Sequence, residues 1–244
     1  MFFNNFMLLT SKPVKEIFCC PEESNFYSHS LESLVLNNCT RSDVVVEFGS
    51  GDGSPVINSL TRTKFDGVIH GFDLSKEACQ VANSKIKESK LSSKYIIHNS
   101  SFFDASKPDA DYLISNPPYL PAWDNDLYQP LLHGGVDGNA ISKQLLSLDY
   151  ENVMLMVSSY CDPKGMISYA KAKGYYVPSF VVSPLEFGYY SSEPKVKKRI
   201  EELRKENRAF YSKNIYLLAG VVFKKRHSLM IDLSEDLAKI MTSL

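Results

Sequence analysis

Asp43-Val-Val-Val-Glu-Phe-Gly-Ser-Gly-Asp-Gly53 joins a β-branched apolar run to three alternating glycines. A short continuous run ending at glycine reads as a strand buried on both faces of a sheet. A helix is expected behind it from about Ser54 to Leu60, with Pro55 acceptable only in its first turn. Outward from this unit the alternation repeats. Gly67 to Asp73 reads as a second strand, and Ser75 then caps a helix with Ala78, Val81, Ala82 and Ile86 on one face. Lys94 to His98, Tyr112 to Ser115 and Val153 to Ser158 continue the strands, with helices expected near 139–148 and 163–173. Val177 to Val182 and Tyr216 to Phe223 complete the set without a long apolar helix between them. The pattern predicts an α/β fold with a doubly wound, mostly parallel seven-stranded sheet and a terminal antiparallel strand. One domain is expected over 1–225, with an N-terminal cap segment at 1–40 and a basic helical insertion at 189–213. A C-terminal helix is expected over 226–244.

Composition narrows the function. A chain of 244 residues holds one substantial core, and its net charge of −1 creates no global attraction to nucleic acid or anionic lipid. No apolar run approaches membrane-spanning length, and Met1 to Leu9 lacks the basic flank and cleavage site of a secretory leader. Five cysteines without a C-x-x-C pair, and histidines at 29, 70, 98, 133 and 227 without ligand spacing, argue against a disulfide framework or a metal site. A reduced, cytoplasmic setting is the expectation.

The glycines let backbone approach a ligand closely. Their G-x-G-x-G spacing differs from the dinucleotide fingerprint, and Glu47 at the strand end would repel a pyrophosphate. That acid suits an ammonium group. Asp73, closing the second strand next to Leu74, lies at the distance along the chain suited to ribose hydroxyls. These features describe an adenosine-containing ligand with a cationic amino-acid tail and no phosphate, a description that S-adenosyl-L-methionine fits.

The fourth strand breaks at Asn116-Pro-Pro-Tyr119. The prolines end the strand and stiffen the turn beyond it. Asn116 offers an amide and Tyr119 a flat ring, a pair suited to a planar NH₂ group on either an adenine or a carboxamide. Asn-Pro is also ordinary turn chemistry, so these four residues alone leave a plain strand-ending turn open.

Glu47-x-Gly49-x-Gly51-x-Gly53, then Asp73, then Asn116-Pro-Pro-Tyr119 resembles the motif order of class I methyltransferases acting on planar nitrogens. The chain looks most like the HemK/PrmC protein-glutamine methyltransferases. His133-Gly-Gly-Val-Asp-Gly138 is similar to their Gly-Gly-x-Asp-Gly segment, and Pro21-Glu-Glu-Ser24 to the motif that precedes their glycine loop. The resemblance implies that the Asn116 side-chain oxygen and the Pro117 carbonyl accept the two N–H bonds of the substrate while Tyr119 stacks on it. Ser101 stands where the family has an acid beside the adenine, with Phe102 next to it to cover the ring. The implied substrate is a protein glutamine, as in a translation factor, and the layout, lacking the family's long N-terminal helical domain, leaves room for a small partner subunit. Adenine N6 in RNA or DNA is the alternative, and a catalytically silent binding module is the alternative of another class.

Glu193 to Arg208 holds seven basic and four acidic residues, with Glu201 and Lys205 at ion-pair spacing on a helix. It reads as a solvated helix, or as a basic guide for an acidic protein or RNA surface. Trp123 and Tyr128 suit either a channel lining or lid packing.

Overall fold

The computed structural model describes residues 18–40, 42–225 and 231–244. The Met1–Leu9 stretch, the first part of the 1–40 cap segment, and His227 lie outside the described residues. Helix α1 (Pro21–Leu31) starts with proline in its first turn and runs into a π-helical turn, Glu32–Leu36. The alternation then follows as β1 (Val44–Phe48), α2 (Ser54–Arg62), β2 (Val68–Asp73), α3 (Lys76–Glu88), β3 (Tyr95–Asn99) and β4 (Tyr112–Ser115). Ser75 caps α3 by accepting from the Ala78 N–H at 3.1 Å. The remainder is α4 (Ala140–Leu146), β5 (Asn152–Ser158), α5 (Pro163–Ala172), β6 (Tyr175–Glu186), α6 (Pro194–Lys205), β7 (Tyr211–Ser212), β8 (Ile215–Lys225) and α7 (Ser234–Met241).

The sheet order is β3-β2-β1-β4-β5-β8-β6. The strands from β3 to β5 pair in parallel, and β8 runs antiparallel to both of its neighbours on this path. The late antiparallel strand is therefore last in the chain but interior in the sheet. The two-residue β7 adds an eighth strand by hairpin pairing with β8. β6 extends well beyond the expected 177–182, because its pairing with β8 resumes past a bulge between Tyr176 and Ser179.

Period-two alternation fills two cores. On β5, Met154 and Met156 face a layer that includes α1, α2, α3 and α6, while Val153, Leu155 and Val157 face α4, α5 and α7. Residues 231–244 of the expected C-terminal helix are described, and α7 buries Leu237 and Met241 on the domain itself. No helix among the described residues is long and apolar enough to cross a membrane. Strand order reverses between β1 and β4, so the C-terminal ends of these strands open a crevice.

Candidate functional site

A cavity of about 540 Å³ occupies that crevice. One wall, the candidate cofactor side, includes Glu47, Gly49, Gly51, Asp73, Leu74, Ser101 and Phe102. Gly49, Gly51 and Gly53 have φ of 72°, 54° and 72°, a left-handed conformation that disfavours any side chain. Space is open in front of Gly49 and Gly51, whereas a Cβ on Gly53 would lie 3.2 Å from Ala82 and 3.3 Å from Tyr95. Gly53 does not line the cavity. It makes the turn into α2 and lets α2 pack on α3 and β3.

Asp73 braces the loop, accepting from the Gly51 N–H and the Ser75 N–H, each at 2.8 Å. Glu47 is buried, with its oxygens accepting from Tyr27 Oη at 3.0 Å and Tyr95 Oη at 2.5 Å. Burial raises its pKa to about 7, against the lowering effect of the two hydroxyls. Phe102 is buried edge-on against Phe48 and Phe72, and the more exposed Phe103 beside it also faces the cavity. Leu74 stands 63% exposed at the mouth.

The facing wall, the candidate reacting side, carries Asn116, Pro117, Pro118 and Tyr119. Ser115 Oγ donates to the Phe48 carbonyl at 2.9 Å, tying this turn to the start of the glycine loop. The following segment doubles back along it: Leu120 N–H donates to Leu132 O and Gly134 N–H to Leu120 O. A Cβ on Gly134 would lie 2.5 Å from Tyr119 Cα, so only glycine permits this contact. The Gly-Gly-Val-Asp-Gly segment thus supports the turn from behind. Cys161 Sγ adds a contact of 3.0 Å to the Tyr119 carbonyl.

Glu23, near the start of α1, reaches the same turn. Its carboxyl accepts from Tyr119 Oη and from Tyr216 Oη on β8, the latter at 3.0 Å. Burial pushes its pKa above the usual range, and these hydrogen bonds oppose the shift. Asn116 Oδ1 is shielded from solvent and has no hydrogen-bond partner. Tyr119 and Tyr216 have pKa values raised by burial and by the Glu23 charge, so both remain hydroxyl donors. The sequence shows Glu23 only within the Pro21–Ser24 motif ahead of the glycine loop and not its contacts, because its partners lie 96 and 193 residues away.

Helix α6 docks on the loop after the turn. Arg199 is buried, donates to the Val136 carbonyl at 2.9 Å, pairs with Glu202 and Glu206, and lies 4.6 Å from the Trp123 ring. Trp123 Nε1 donates to Glu202 at 3.0 Å, Lys195 pairs with Asp124 and Asp126, and Tyr128 N–H donates to Glu193. Trp123 and Tyr128 therefore join the loop to α6 and do not line the cavity. Glu201 and Lys205 are not within ion-pairing distance of each other. His133 faces the cavity, its Nε2 3.0 Å from the Ala122 carbonyl.

Residues 27–134 match the family model described as Methyltransferase small domain. The fold is the Rossmann-like one of methyltransferases: a Geobacter sulfurreducens SAM-dependent methyltransferase, crystallised with S-adenosyl-L-homocysteine, superposes with a TM-score of 0.51. It is 12% identical, over 89% of this chain and 95% of that one. Fold and domain match agree: residues 27–134 are similar to a methyltransferase small domain, carried in the Rossmann-like fold of methyltransferases. More particularly, the chain is 28% identical over 134 residues to the release factor glutamine methyltransferase of Thermosynechococcus vestitus, covering 50% of this chain and 43% of the relative. It is 30% identical over 122 residues to that of Dictyoglomus turgidum, covering 43% and 40%. The matched stretch thus spans less than half the length of these curated relatives.

The cavity fits S-adenosyl-L-methionine. Five carboxylates line it (Glu22, Glu23, Glu47, Asp52 and Asp73), and among the described residues no lysine or arginine does. Such a wall favours a cation and disfavours a phosphate. Gly49 and Gly51 leave room for close backbone approach, and the Asp73 oxygens retain lone pairs for hydroxyl donors.

Proposed function

We propose that the protein transfers the methyl group of S-adenosyl-L-methionine to a planar side-chain nitrogen of a protein, glutamine above others, in a translation-factor-like substrate. The observation that carries this reading is the buried, unpartnered Asn116 Oδ1 on the wall of an acidic cavity. A buried acceptor without a partner costs stability that a substrate N–H would restore. Similarity to release factor glutamine methyltransferases supports a protein substrate.

In this reading Gly49, Gly51 and Asp73 hold the cofactor's amino-acid and ribose parts, Phe102 and Ser101 meet its adenine, and Glu47 favours its ammonium. The bound cofactor supplies an electrophilic methyl on a sulfonium. A carboxamide nitrogen is a poor nucleophile because its lone pair is delocalised. Asn116 Oδ1 and the Pro117 carbonyl accept its two N–H bonds, and these acceptors strengthen their hold as the nitrogen gains positive charge. Tyr119 limits the orientation of the planar group. No general base is required, since the proton can leave to water after transfer.

Incubating the protein with labelled S-adenosyl-L-methionine and cell extract, then digesting with protease or nuclease, tests the substrate class. Label released by protease and resistant to nuclease is expected. Label that survives protease and yields to nuclease would move the assignment to an adenine of RNA or DNA. Absence of cofactor binding by calorimetry would leave the silent binding module.

A further inference from the structure

Helix α6 divides its charges between two faces. Val196, Arg199, Ile200 and Leu203 are buried against the domain. At roughly 100° per residue, Lys198, Glu201 and Lys205 fall on the opposite side with Lys197 next to them, and all four are exposed. The other acids of the segment are used inward. Glu202 and Glu206 pair with Arg199, Glu206 also pairs with Arg208, and Glu193 accepts from the Tyr128 N–H. Lys195 and Arg208 are paired with aspartates, and Arg204 lies 4.2 Å from the Tyr211 ring. The side chains of Lys197, Lys198 and Lys205 make no ion pair or hydrogen bond among the described residues. A chain with a net charge of −1 thus presents one helix face with a surplus of free cations.

This face starts at the cavity. Tyr189, Tyr190 and Ser191, on the segment that leads from β6 into α6, line it, and Lys197 and Lys198 stand in the first turns of the helix that begins at Pro194. Lys205 lies roughly 10 Å further along the axis. The cavity has the opposite sign, with five carboxylates and, among the described residues, no lysine or arginine in its lining. Exposed charges act over about 8 Å at physiological salt, so the two regions are read separately. A partner that suits both presents an uncharged or cationic group to the cavity and anions beside it on α6. RNA carries a phosphate at every nucleotide, so it cannot lay charge on α6 without bringing more to the carboxylates. A polypeptide can alternate.

We infer that the exposed face of α6 docks an acidic segment of the protein substrate through Lys197, Lys198 and Lys205, while a side chain from an adjoining stretch without acids enters the cavity. This rests on the protein-substrate reading of the site.

The test measures binding of two fluorescent peptides to the full chain by anisotropy, apart from any methyl transfer. One carries a glutamine at one end and a run of glutamates at the other; its counterpart has lysines in place of the glutamates. The acidic peptide is expected to bind more tightly, and added salt to weaken it. Combined Lys197→Glu, Lys198→Glu and Lys205→Glu is expected to lower that affinity roughly tenfold or more. Replacing the same three lysines with glutamine is expected to cost less. The same reversal at Lys64, Lys87 and Lys171, exposed lysines on other surfaces, is expected to change it little. With labelled S-adenosyl-L-methionine and extract protein, the α6 reversal is expected to slow transfer in dilute extract and to recover in concentrated extract, at unchanged cofactor affinity by calorimetry and unchanged thermal stability. Equal binding of the two peptides, an acidic peptide held as tightly after the α6 reversal, or an equal loss in the control variant overturns the assignment. So does a single-stranded RNA of matched length that binds through these lysines in preference to the acidic peptide. If the wild type binds the acidic peptide through α6 but neither binds the cofactor nor transfers label, the methyl-transfer reading fails and the docking surface stands.

Discussion

The two walls of the cavity are built by different means. The candidate cofactor wall is made of strand ends and the loops that follow them at once: Phe48 into Gly49, and Phe72 into Asp73. Its bracing is local, with Gly51 N–H on Asp73 and Ser75 N–H on Asp73. The reacting wall is made of one turn held by residues far away in sequence: Glu23 and Tyr216 at its polar edge, Gly134 and Cys161 behind it, and α6 clamped over its loop. A locally made site depends on backbone conformation. An assembled one depends on side chains that must all be in place.

That contrast can be broken first at Asn116. Asn116→Ala should lower methyl transfer by roughly 10²–10³-fold while cofactor affinity by calorimetry stays near wild type, because it removes an acceptor used as charge develops. Retained activity would discredit the role assigned to the turn. Gly53→Ala probes the cofactor wall by backbone alone. A side chain there would take φ of 72° and crowd Ala82 and Tyr95, costing about 1–3 kcal/mol in denaturant unfolding together with weaker cofactor binding. A Gly53→Ala protein as stable as wild type would show that the loop tolerates what the geometry forbids.

Glu47 sharpens the comparison through pH. Its folded pKa is raised to about 7 from 4.5, so the folded state holds a proton that the unfolded chain releases. This contribution is fully present below pH ~4.5 and lost as pH rises through about 7, so stability from this group falls across that window. Glu47→Gln, a neutral mimic, should flatten that fall, with its gain over wild type growing from pH 5 to pH 8. Parallel curves for the two proteins would contradict the buried-acid reading. The smallest effect is expected at α6. Arg199→Ala should loosen the loop from Trp123 to Val136 and lower the melting temperature by roughly 2–4 °C, the shift about 1 kcal/mol produces in a chain of this size. Faster amide exchange confined to that loop, with cofactor affinity intact, would separate the two walls; equal loosening of the glycine loop would join them.

The same contrast explains what was legible in the sequence. β1, the glycine loop, Asp73 and the Ser75 cap follow from patterns within about ten residues, and the structure places them close to the expected boundaries. Asn116-Pro-Pro-Tyr119 was legible as a turn with an amide and a ring for the same reason. The contacts of Glu23 were not, since nothing in the Pro21–Ser24 motif names Tyr216 as a partner. The packing role of Gly53 was not legible from its spacing, because Ala82 and Tyr95, which its missing side chain would crowd, lie far along the chain. The basic insertion read as solvated because a segment with seven cations looks polar; Val196, Arg199, Ile200 and Leu203 are nonetheless buried, since three-dimensional neighbours supply acids and a ring to Arg199.

The most direct test compares wild-type protein and Asn116→Ala in one labelling experiment with S-adenosyl-L-methionine and extract, with cofactor binding measured alongside. Protease-sensitive label from the wild type, none from the variant, and equal cofactor affinity in both is the predicted result. Equal labelling by the variant, or label that only nuclease removes, would contradict it.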